Sequence, residues 1–196
     1  MTPLNPEITY QPDWLPAAEA TRLLETLLAQ THWQQGTVRL FGKTHPEPRL
    51  SAWYGEVGYR YAGRDLLPQP WPDALHTVRA RLQEAFRADW NGVLLNYYRN
   101  GRDYMGFHAD NEPELGPRPQ IVSLSLGAER RFVLQHRQSG QRHTLWLTHG
   151  SLLYMYGRSQ LDWRHALPKA LRVHSARLNL TFRALQRPDK KFSQGL

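Results

Sequence analysis

The sequence predicts a mainly β domain of the α+β class, a jelly roll or β-sandwich with packing helices in its N-terminal half. Two observations indicate this fold class. After residue 90 the chain consists of short runs of β-type composition, separated by Gly, Pro, Asn and Ser. Before residue 90, two segments instead repeat apolar residues at helical spacing. At 196 residues the chain is long enough for one domain with a substantial core.

The two helices are predicted from the spacing of their apolar residues. Residues 16–30 carry one apolar stripe, formed by Leu23, Leu24, Leu27 and Leu28. Pro16 is suited to the first turn of this helix. Residues 72–86 carry a second stripe, formed by Leu75, Val78, Leu82 and Phe86. Both helices are expected to pack against the sheets.

Six segments in the second half are predicted to be strands. They are GVLLNYY (92–98), QIVSLSLG (120–127), RRFVLQH (130–136), HTLWL (143–147), SLLYMYG (151–157) and ARLNLTFRAL (176–185). No internal repeat is visible. The tail, residues 186–196, is polar and is expected to fray.

The last strand has two chemically different faces. In RLNLTFR, residues 177–183, the apolar residues alternate with Arg177, Asn179, Thr181 and Arg183. An edge strand would expose this polar face to water, but a central strand of a jelly roll is covered on both faces. Two buried arginines would then need an anion, and a small carboxylic acid fits guanidinium geometry. The strand at 92–98 offers a matching polar face, formed by Asn96 and Tyr98.

The composition narrows the partners and the compartment. Lys and Arg exceed Asp and Glu by 25 to 17, and the net charge of +8 attracts polyanions, most commonly nucleic acid. Charge alone is also compatible with a basic protein that has no such partner. The absence of cysteine excludes disulfides, zinc knuckles and thiol catalysis. No targeting or bilayer-spanning segment is visible, so we expect a cytoplasmic protein, nuclear if eukaryotic, monomeric and without a membrane partner.

His108 and Asp110 are candidate metal ligands. In an extended backbone, side chains two residues apart leave from the same face. Two histidines and one carboxylate on one side of a metal are typical of non-haem Fe(II) oxygenases. An H-x-D pair alone is weak evidence for a metal site, because the chain has nine histidines and such pairs commonly arise by chance. The candidates for the third ligand are His136, His143, His149, His165 and His174, and spacing does not decide between His149 and His165.

Several segments together resemble the AlkB family of Fe(II)/2-oxoglutarate-dependent nucleic-acid dealkylation dioxygenases. They are NYY (96–98), HADNE (108–112), HGSLLYM (149–155), WRHALP (163–168) and RLNLTFR (177–183). Upstream, residues 40–56 are similar to the lesion-binding region of the duplex-repairing branch. The resemblance covers roughly residues 38–185, which would form the core of a single domain spanning 1–196. It implies a double-stranded β-helix, a jelly roll, in agreement with the predicted strands.

The resemblance implies a role for each polar candidate. Fe(II) would be held by His108, Asp110 and His165, so that His149 becomes a structural turn residue. Arg177 would pair with the distal carboxylate of 2-oxoglutarate, and Arg183 would lie near the end that chelates iron. The remaining hydrogen bonds to this cosubstrate would come from Asn96, Tyr98, Asn179 and Thr181.

The implied activity is oxidative dealkylation of N-alkylated bases in DNA, a direct reversal of alkylation damage. The reaction would consume O₂ and 2-oxoglutarate, with Fe(II) as the cofactor, and would release succinate, carbon dioxide and an aldehyde. The protein would supply the ligands of the iron, the orientation of the reactants and a dry pocket. Three alternatives stay open: an RNA demethylase of the same chemistry, a 2-oxoglutarate oxygenase acting on protein or small molecules, and a jelly-roll binding module without activity.

The substrate candidates follow from the need to expose the target base. A base in a duplex reaches a buried iron only after flipping, unless it is already unpaired. Phe41, beside Gly42 in a tight turn, would fill the gap left by the base, and Lys43 would contact phosphate. By residue type alone, Phe41 would instead be an ordinary core residue.

The base itself would lie between aromatic side chains. Tyr59 and Tyr61 would line the pocket, with His108 stacking on the opposite side. Asn111 and Glu112 follow the ligands closely enough to bind the edge of a base. Relatives often have Asp where this chain has Asn111, so Glu112 would have to favour a cationic lesion such as 1-methyladenine or 3-methylcytosine.

Overall fold

The structure, a computed structural model, describes residues 5–40, 42–61 and 63–187, without the side chains of residues 39, 40, 61 and 64. The helices are α1 (Ala17–Gln30), α2 (Asp73–Phe86) and the one-turn α3 (Ser159–Asp162). The strands are β1 (Ile8–Gln11), β2 (Thr37–Leu40), β3 (Lys43–Pro46), β4 (Leu50–Gly55), β5 (Tyr59–Tyr61), β6 (Arg64–Leu66), β7 (Gly92–Tyr98), β8 (Met105–His108), β9 (Ile121–Gly127), β10 (Arg130–His136), β11 (Arg142–Leu147), β12 (Leu152–Met155), β13 (Trp163–Leu167) and β14 (Arg177–Arg183). Among the described residues, no helix has the length and hydropathy needed to cross a bilayer.

Two antiparallel sheets form the body of the molecule. The larger sheet has six strands in the order β1-β12-β9-β14-β7-β4, and the smaller has four in the order β11-β10-β13-β8. Two hairpins, β2–β3 and β5–β6, stand apart from them. The order within each sheet departs from the order along the chain, as in a jelly roll. The predicted fold, a mainly β jelly roll with packing helices in the N-terminal half, is therefore confirmed.

The larger sheet is covered on both faces, which explains why every residue of β14 is buried. On one face, Leu178, Leu180 and Phe182 join a core cluster with the apolar stripes of α1 and α2. On the other face, residues of the larger sheet such as Leu94 form a second cluster with residues of the smaller sheet such as Leu134. The polar residues of β14 therefore lie between the two sheets and not in water.

The helices lie within a residue of their predicted positions, because an amphipathic stripe is a local property of the sequence. Each of the two long helices is preceded by a proline, Pro16 and Pro72, at its N-cap. The six predicted strands correspond to β7, β9, β10, β11, β12 and β14. The short strands β8 and β13 were not predicted. Their residues form too short a pattern, and their pairing with each other is a long-range contact.

Candidate active site

The smaller sheet brings the two most separated candidate ligands into direct contact. His108 ends β8, His165 lies in β13, and the two residues are opposite each other in the antiparallel register. Their ring centroids are 4.2 Å apart. Asp110 follows two residues after β8, and one side-chain donor atom from each of the three residues lies within 4.8 Å of the others.

Hydrogen bonds orient these side chains. The Nδ1 of His108 lies 3.0 Å from the Gly106 carbonyl oxygen, which can only accept a hydrogen bond. Nδ1 must therefore carry the proton, and Nε2 keeps a free lone pair for a metal. The backbone N–H of Asp110 donates to Gln160 Oε1 at 2.9 Å, which fixes the chain just after β8.

The protonation states of the three residues fit a metal ion. Burial, together with the adjacent His108, lowers the pKa of His165 to about 3. Burial also lowers the pKa of His108. The carboxyl of Asp110 is buried, yet the Arg183 guanidinium and the two imidazoles hold its pKa below the ordinary value. Two neutral imidazoles and one carboxylate are the ligand set that non-haem Fe(II) prefers.

The polar face of β14 forms a hydrogen-bonded row beside this triad. Arg177 donates to Ser125 Oγ at 2.9 Å and to Asn179 Oδ1 at 2.8 Å. Asn179 Nδ2 in turn donates to Thr181 Oγ1 at 2.7 Å. Burial lowers the pKa of Arg177 to about 10, so that this guanidinium still carries its charge at neutral pH. A buried cation surrounded by neutral donors and acceptors is suited to a small anion.

Arg183, at the other end of this face, is paired within the protein. Its Nη2 lies 2.5 Å from Asp110 Oδ1, and both side chains are buried. Its guanidinium also lies 5.0 Å from the ring centroid of Tyr59. Arg183 therefore holds the carboxylate of Asp110 in position.

One cavity contains the triad and the polar face together. Its lining residues are Asn96, Tyr98, Met105, His108, Asp110, Ser123, Phe132, Met155, His165, Leu167, Arg177, Asn179, Thr181 and Arg183. The predicted iron ligands and cosubstrate residues all belong to this set. The arrangement can hold a small dicarboxylate with one end toward the three ligands and the other end toward Arg177.

The two predicted residues of β7 contact this cavity from the neighbouring strand. Tyr98 lies beneath the Arg177 guanidinium, 5.3 Å from ring centroid to Cζ. The Asn96 Oδ1 accepts a hydrogen bond from Arg49 Nε at 3.0 Å. Arg49 precedes β4 and is itself buried, so it ties the segment that follows the β2–β3 hairpin to the cavity wall.

His149 lies outside the cavity and has a structural role. Its Nδ1 accepts the backbone N–H of Gly127 at 2.8 Å, and its Nε2 lies 3.1 Å from Thr21 Oγ1. These bonds join the turn before β12 to the end of β9 and to α1. The geometry therefore selects His165, and not His149, as the histidine that completes the triad.

The tight turn predicted to carry Phe41 lies only partly within the described residues. Phe41 itself lies outside the described residues. The hairpin that carries it is present, since Leu40 of β2 pairs with Lys43 of β3. Gly42 has a φ of 79°, as expected for a tight turn that favours glycine, and Lys43 is exposed.

The predicted base-binding residues occupy different environments. Tyr59 is buried and stacks on Trp53 with ring centroids 4.9 Å apart, and its hydroxyl interacts with the Glu112 carboxylate. Burial and the nearby Asp110 raise the pKa of Glu112. Asn111 is exposed, and Tyr61 belongs to β5 but its side chain lies outside the described part.

Four polar residues of the site were missed by the sequence analysis. Ser123 and Ser125 of β9 bind Asn179 and Arg177 respectively. Their alternation with apolar residues in IVSLSLG repeats the pattern of β14 and could have identified them. Arg49 and Gln160 have no such signal, because they reach the site from loops and a one-turn helix.

Comparisons with known proteins agree with this geometry. Residues 7–183 match the 2OG-Fe(II) oxygenase superfamily. The chain is 37% identical over 198 residues to alpha-ketoglutarate-dependent dioxygenase alkB homolog 3 of Rattus norvegicus, covering 96% of this chain and 67% of that protein. It is 40% identical over 187 residues to DNA oxidative demethylase ALKBH2 of Mus musculus, covering 89% of this chain and 78% of that protein.

A solved structure, that of OsALKBH1, has the same fold. It superposes with a TM-score of 0.59 at 18% sequence identity, covering 93% of this chain and 100% of that chain. The fold, the sequence matches and the His–Asp–His cluster point to the same conclusion. The chain belongs to the AlkB family of the 2OG-Fe(II) oxygenase superfamily, and it is an oxygenase that uses Fe(II), 2-oxoglutarate and O₂.

Proposed function

We propose that this oxygenase repairs alkylated DNA by oxidative demethylation of N-alkylated bases. The observation that carries the proposal is the cavity in which His108, Asp110 and His165 lie beside the buried Arg177 face. Two relatives with 37% and 40% identity are named a 2-oxoglutarate-dependent dioxygenase and a DNA oxidative demethylase. The net charge of +8 also favours a nucleic-acid substrate over a neutral small molecule.

The triad would bind the metal through two neutral imidazoles and one carboxylate. His108, held by the Gly106 carbonyl, would present Nε2, and Asp110 would remain ionised because Arg183 lies against it. When bound, Fe(II) and 2-oxoglutarate supply the oxidation of the N-alkyl carbon by O₂, with release of succinate, carbon dioxide and an aldehyde.

The polar face of β14 would orient the cosubstrate. Arg177 would pair with the distal carboxylate, because it is a buried cation at the end of the cavity away from Asp110. Asn96, Tyr98, Asn179 and Thr181 would complete its hydrogen bonds. The apolar lining residues Met155 and Leu167 would limit the access of water to the reacting end.

The target base would be recognised next to the triad. His108 is the only ligand of the three that is partly exposed, so a base can approach the triad from its side. Glu112 lies two residues beyond Asp110 and would face a cationic base such as 1-methyladenine. Tyr59, held against Glu112 and stacked on Trp53, would position that carboxylate, while Tyr61 and Asn111 would contribute at the rim.

Formaldehyde release from methylated oligonucleotides tests this proposal. Purified protein is supplied with Fe(II) and 2-oxoglutarate and is given DNA with a single 1-methyladenine, the same RNA, and unmethylated DNA. The proposal requires formaldehyde from the methylated DNA in amounts equal to the restored adenine. Release from RNA alone would assign an RNA demethylase instead, and succinate production without formaldehyde from either nucleic acid would point to another substrate class.

A further inference from the structure

The outer face of the four-stranded sheet is basic. None of the residues of β8, β10, β11 and β13 is Asp or Glu. The side chains that point away from the cavity include three exposed arginines and two exposed aromatics, here called the outer arginine face: Phe107, Arg131, Arg142, Trp146 and Arg164. The exposed aromatic side chains of this face, Phe107 and Trp146, are not part of the hydrophobic core.

The strand register arranges these side chains in two rows. Gln135 of β10 lies opposite Arg142 on one side and Arg164 on the other. Arg164 donates to Gln135 Oε1 at 2.9 Å, and its guanidinium lies 5.0 Å from the ring centroid of Phe107, which is 40% exposed.

The second row lies four residues away along β10. Arg131 there is directly opposite Trp146 of β11, whose side chain is 57% exposed. Each row thus combines a guanidinium group with an aromatic ring. Basic side chains interleaved with aromatic ones are the usual means of binding a single strand, because cations contact phosphates and rings stack on bases.

The three arginines of this face keep their charge unneutralised within the described part of the chain. None of Arg131, Arg142 and Arg164 forms an ion pair with a described carboxylate. The acidic residues that precede β10 and β13 are Glu129 and Asp162. Asp162 is bound to Arg158 at 2.7 Å, and Glu129 forms no ion pair with Arg131 among the described contacts. Unpaired surface cations favour a polyanion through the release of its counterions.

The outer arginine face adjoins the active site. Phe107 precedes His108, and Arg164 precedes His165. Because neighbouring residues of a strand point to opposite faces of the sheet, the two candidate ligands point into the cavity and the two preceding residues point to the outer face. β8 is an edge strand of this sheet, so a nucleic-acid strand that passes from one face to the other can pass around β8. Four strands span about 14 Å from the first to the last, a distance that an extended strand covers with a few nucleotides.

We propose that the outer arginine face binds the single DNA strand that flanks the alkylated nucleotide. The arginines would contact phosphates, and Phe107 and Trp146 would stack on unpaired bases. This inference rests on the proposed function, which supplies the DNA strand whose damaged base reaches His108. It adds a second binding surface, on the side of the sheet away from the cavity.

A salt titration tests the phosphate contacts without any turnover. The probe is an unmethylated, 5′-fluorescein-labelled oligodeoxythymidylate of about 15 nucleotides, within the usual site sizes of single-strand binders. The variant changes Arg131, Arg142 and Arg164 to Gln. Because each phosphate contact on a single strand contributes about 0.7 to the slope of log K against log salt, the slope should fall by about 2.

A second triple variant serves as the matched control. It changes Arg22, Arg102 and Arg118 to Gln, which removes the same charge from exposed positions outside the four-stranded sheet. Its slope should stay close to that of the wild type. An equal fall of the slope in both variants would overturn the proposal, since charge would then act without regard to position. An unchanged slope in the first variant would overturn it as well.

Substrate length separates this surface from the active site. A methylated nucleoside 5′-monophosphate has no flanking strand to reach around β8, so the first triple variant should turn it over with the wild-type kcat/KM. On a long methylated strand the KM of the same variant should rise about tenfold or more. An equal loss on both substrates would overturn the proposal by placing the arginines in the active site.

Trp146→Ala tests the stacking part. It should weaken binding of the oligodeoxythymidylate by about tenfold while leaving the salt slope unchanged, because stacking releases no counterions. Unchanged affinity would overturn the role of Trp146. If the wild type releases no formaldehyde from any methylated DNA, the proposed function fails, and the binding titrations report on the outer arginine face separately.

Discussion

His108 and His165 lie directly opposite each other on the antiparallel strands β8 and β13, with ring centroids 4.2 Å apart. They are far apart in the sequence, and only the pairing of these two short strands brings them together. Asp110 joins them from the loop that follows β8, and its position is held by Arg183 from the centre of the larger sheet. Both sheets therefore contribute to one cluster of candidate metal ligands.

The triad predicts the stoichiometry of iron and its loss in variants. Purified protein should bind about one Fe(II) per chain, as one facial triad requires. His108→Ala, Asp110→Ala and His165→Ala should each abolish both turnover and stoichiometric iron binding, as measured by metal analysis after gel filtration. His149→Ala is the control and should keep iron, since His149 bonds to Gly127 and Thr21 outside the cavity. Iron retained in His165→Ala but lost in His149→Ala would show that the third ligand is wrongly assigned.

Arg177→Leu should impair the use of 2-oxoglutarate. The substitution removes a buried cation and its charge-assisted hydrogen bonds, which contribute about 1.5–3 kcal/mol each, so the KM for 2-oxoglutarate should rise about 10- to 100-fold. The KM for methylated DNA should change little. Ser125→Ala, which removes one partner of Arg177, is a milder comparison and should give a smaller rise in the same KM. Normal use of 2-oxoglutarate by Arg177→Leu would place the distal carboxylate elsewhere.

Phe41→Ala should impair repair of duplex DNA more than repair of single strands. Gly42 forms the turn of the β2–β3 hairpin, and an aromatic beside it would fill the hole left by a flipped base. That filling offsets an unstacking cost of about a few kcal/mol, which only a duplex imposes in full. Formaldehyde release from one methylated sequence, paired and unpaired at the same salt concentration, measures the difference. An equal loss on both forms would make Phe41 a pocket or core residue.

Leu180→Ala should destabilise the protein without changing which cofactors it binds. Leu180 is fully buried in β14, between the neighbouring strands and the two long helices. Removing its side chain should cost about 2–5 kcal/mol in the free energy of unfolding, measured by urea denaturation. Leu171→Ala is the control, since Leu171 is 68% exposed and its loss should change stability by less than about 0.5 kcal/mol. Equal effects of the two substitutions would contradict the packing described for β14.

Several features of this protein are determined locally and were therefore predictable from the sequence. The stripes of α1 and α2 reflect a period of 3.6 residues, and the two faces of β14 reflect a period of two. The expectation that Arg177 and Arg183 are buried also followed, because a central strand of a jelly roll has no face in water. H-x-D at 108–110 needed only an extended backbone to place two ligands together.

Other features were decided by the tertiary structure alone. The residues by themselves left His149 and His165 as equal candidates, since distance along the chain carries no information about distance in space. The register of β8 with β13 selects His165, and the bonds from Gly127 and Thr21 assign His149 to a turn. In the same way, Arg49 and Gln160 reach the site from loops and a one-turn helix whose paths depend on long-range packing. Pairing between distant strands has no local signature, so only the folded chain shows which side chains share a site.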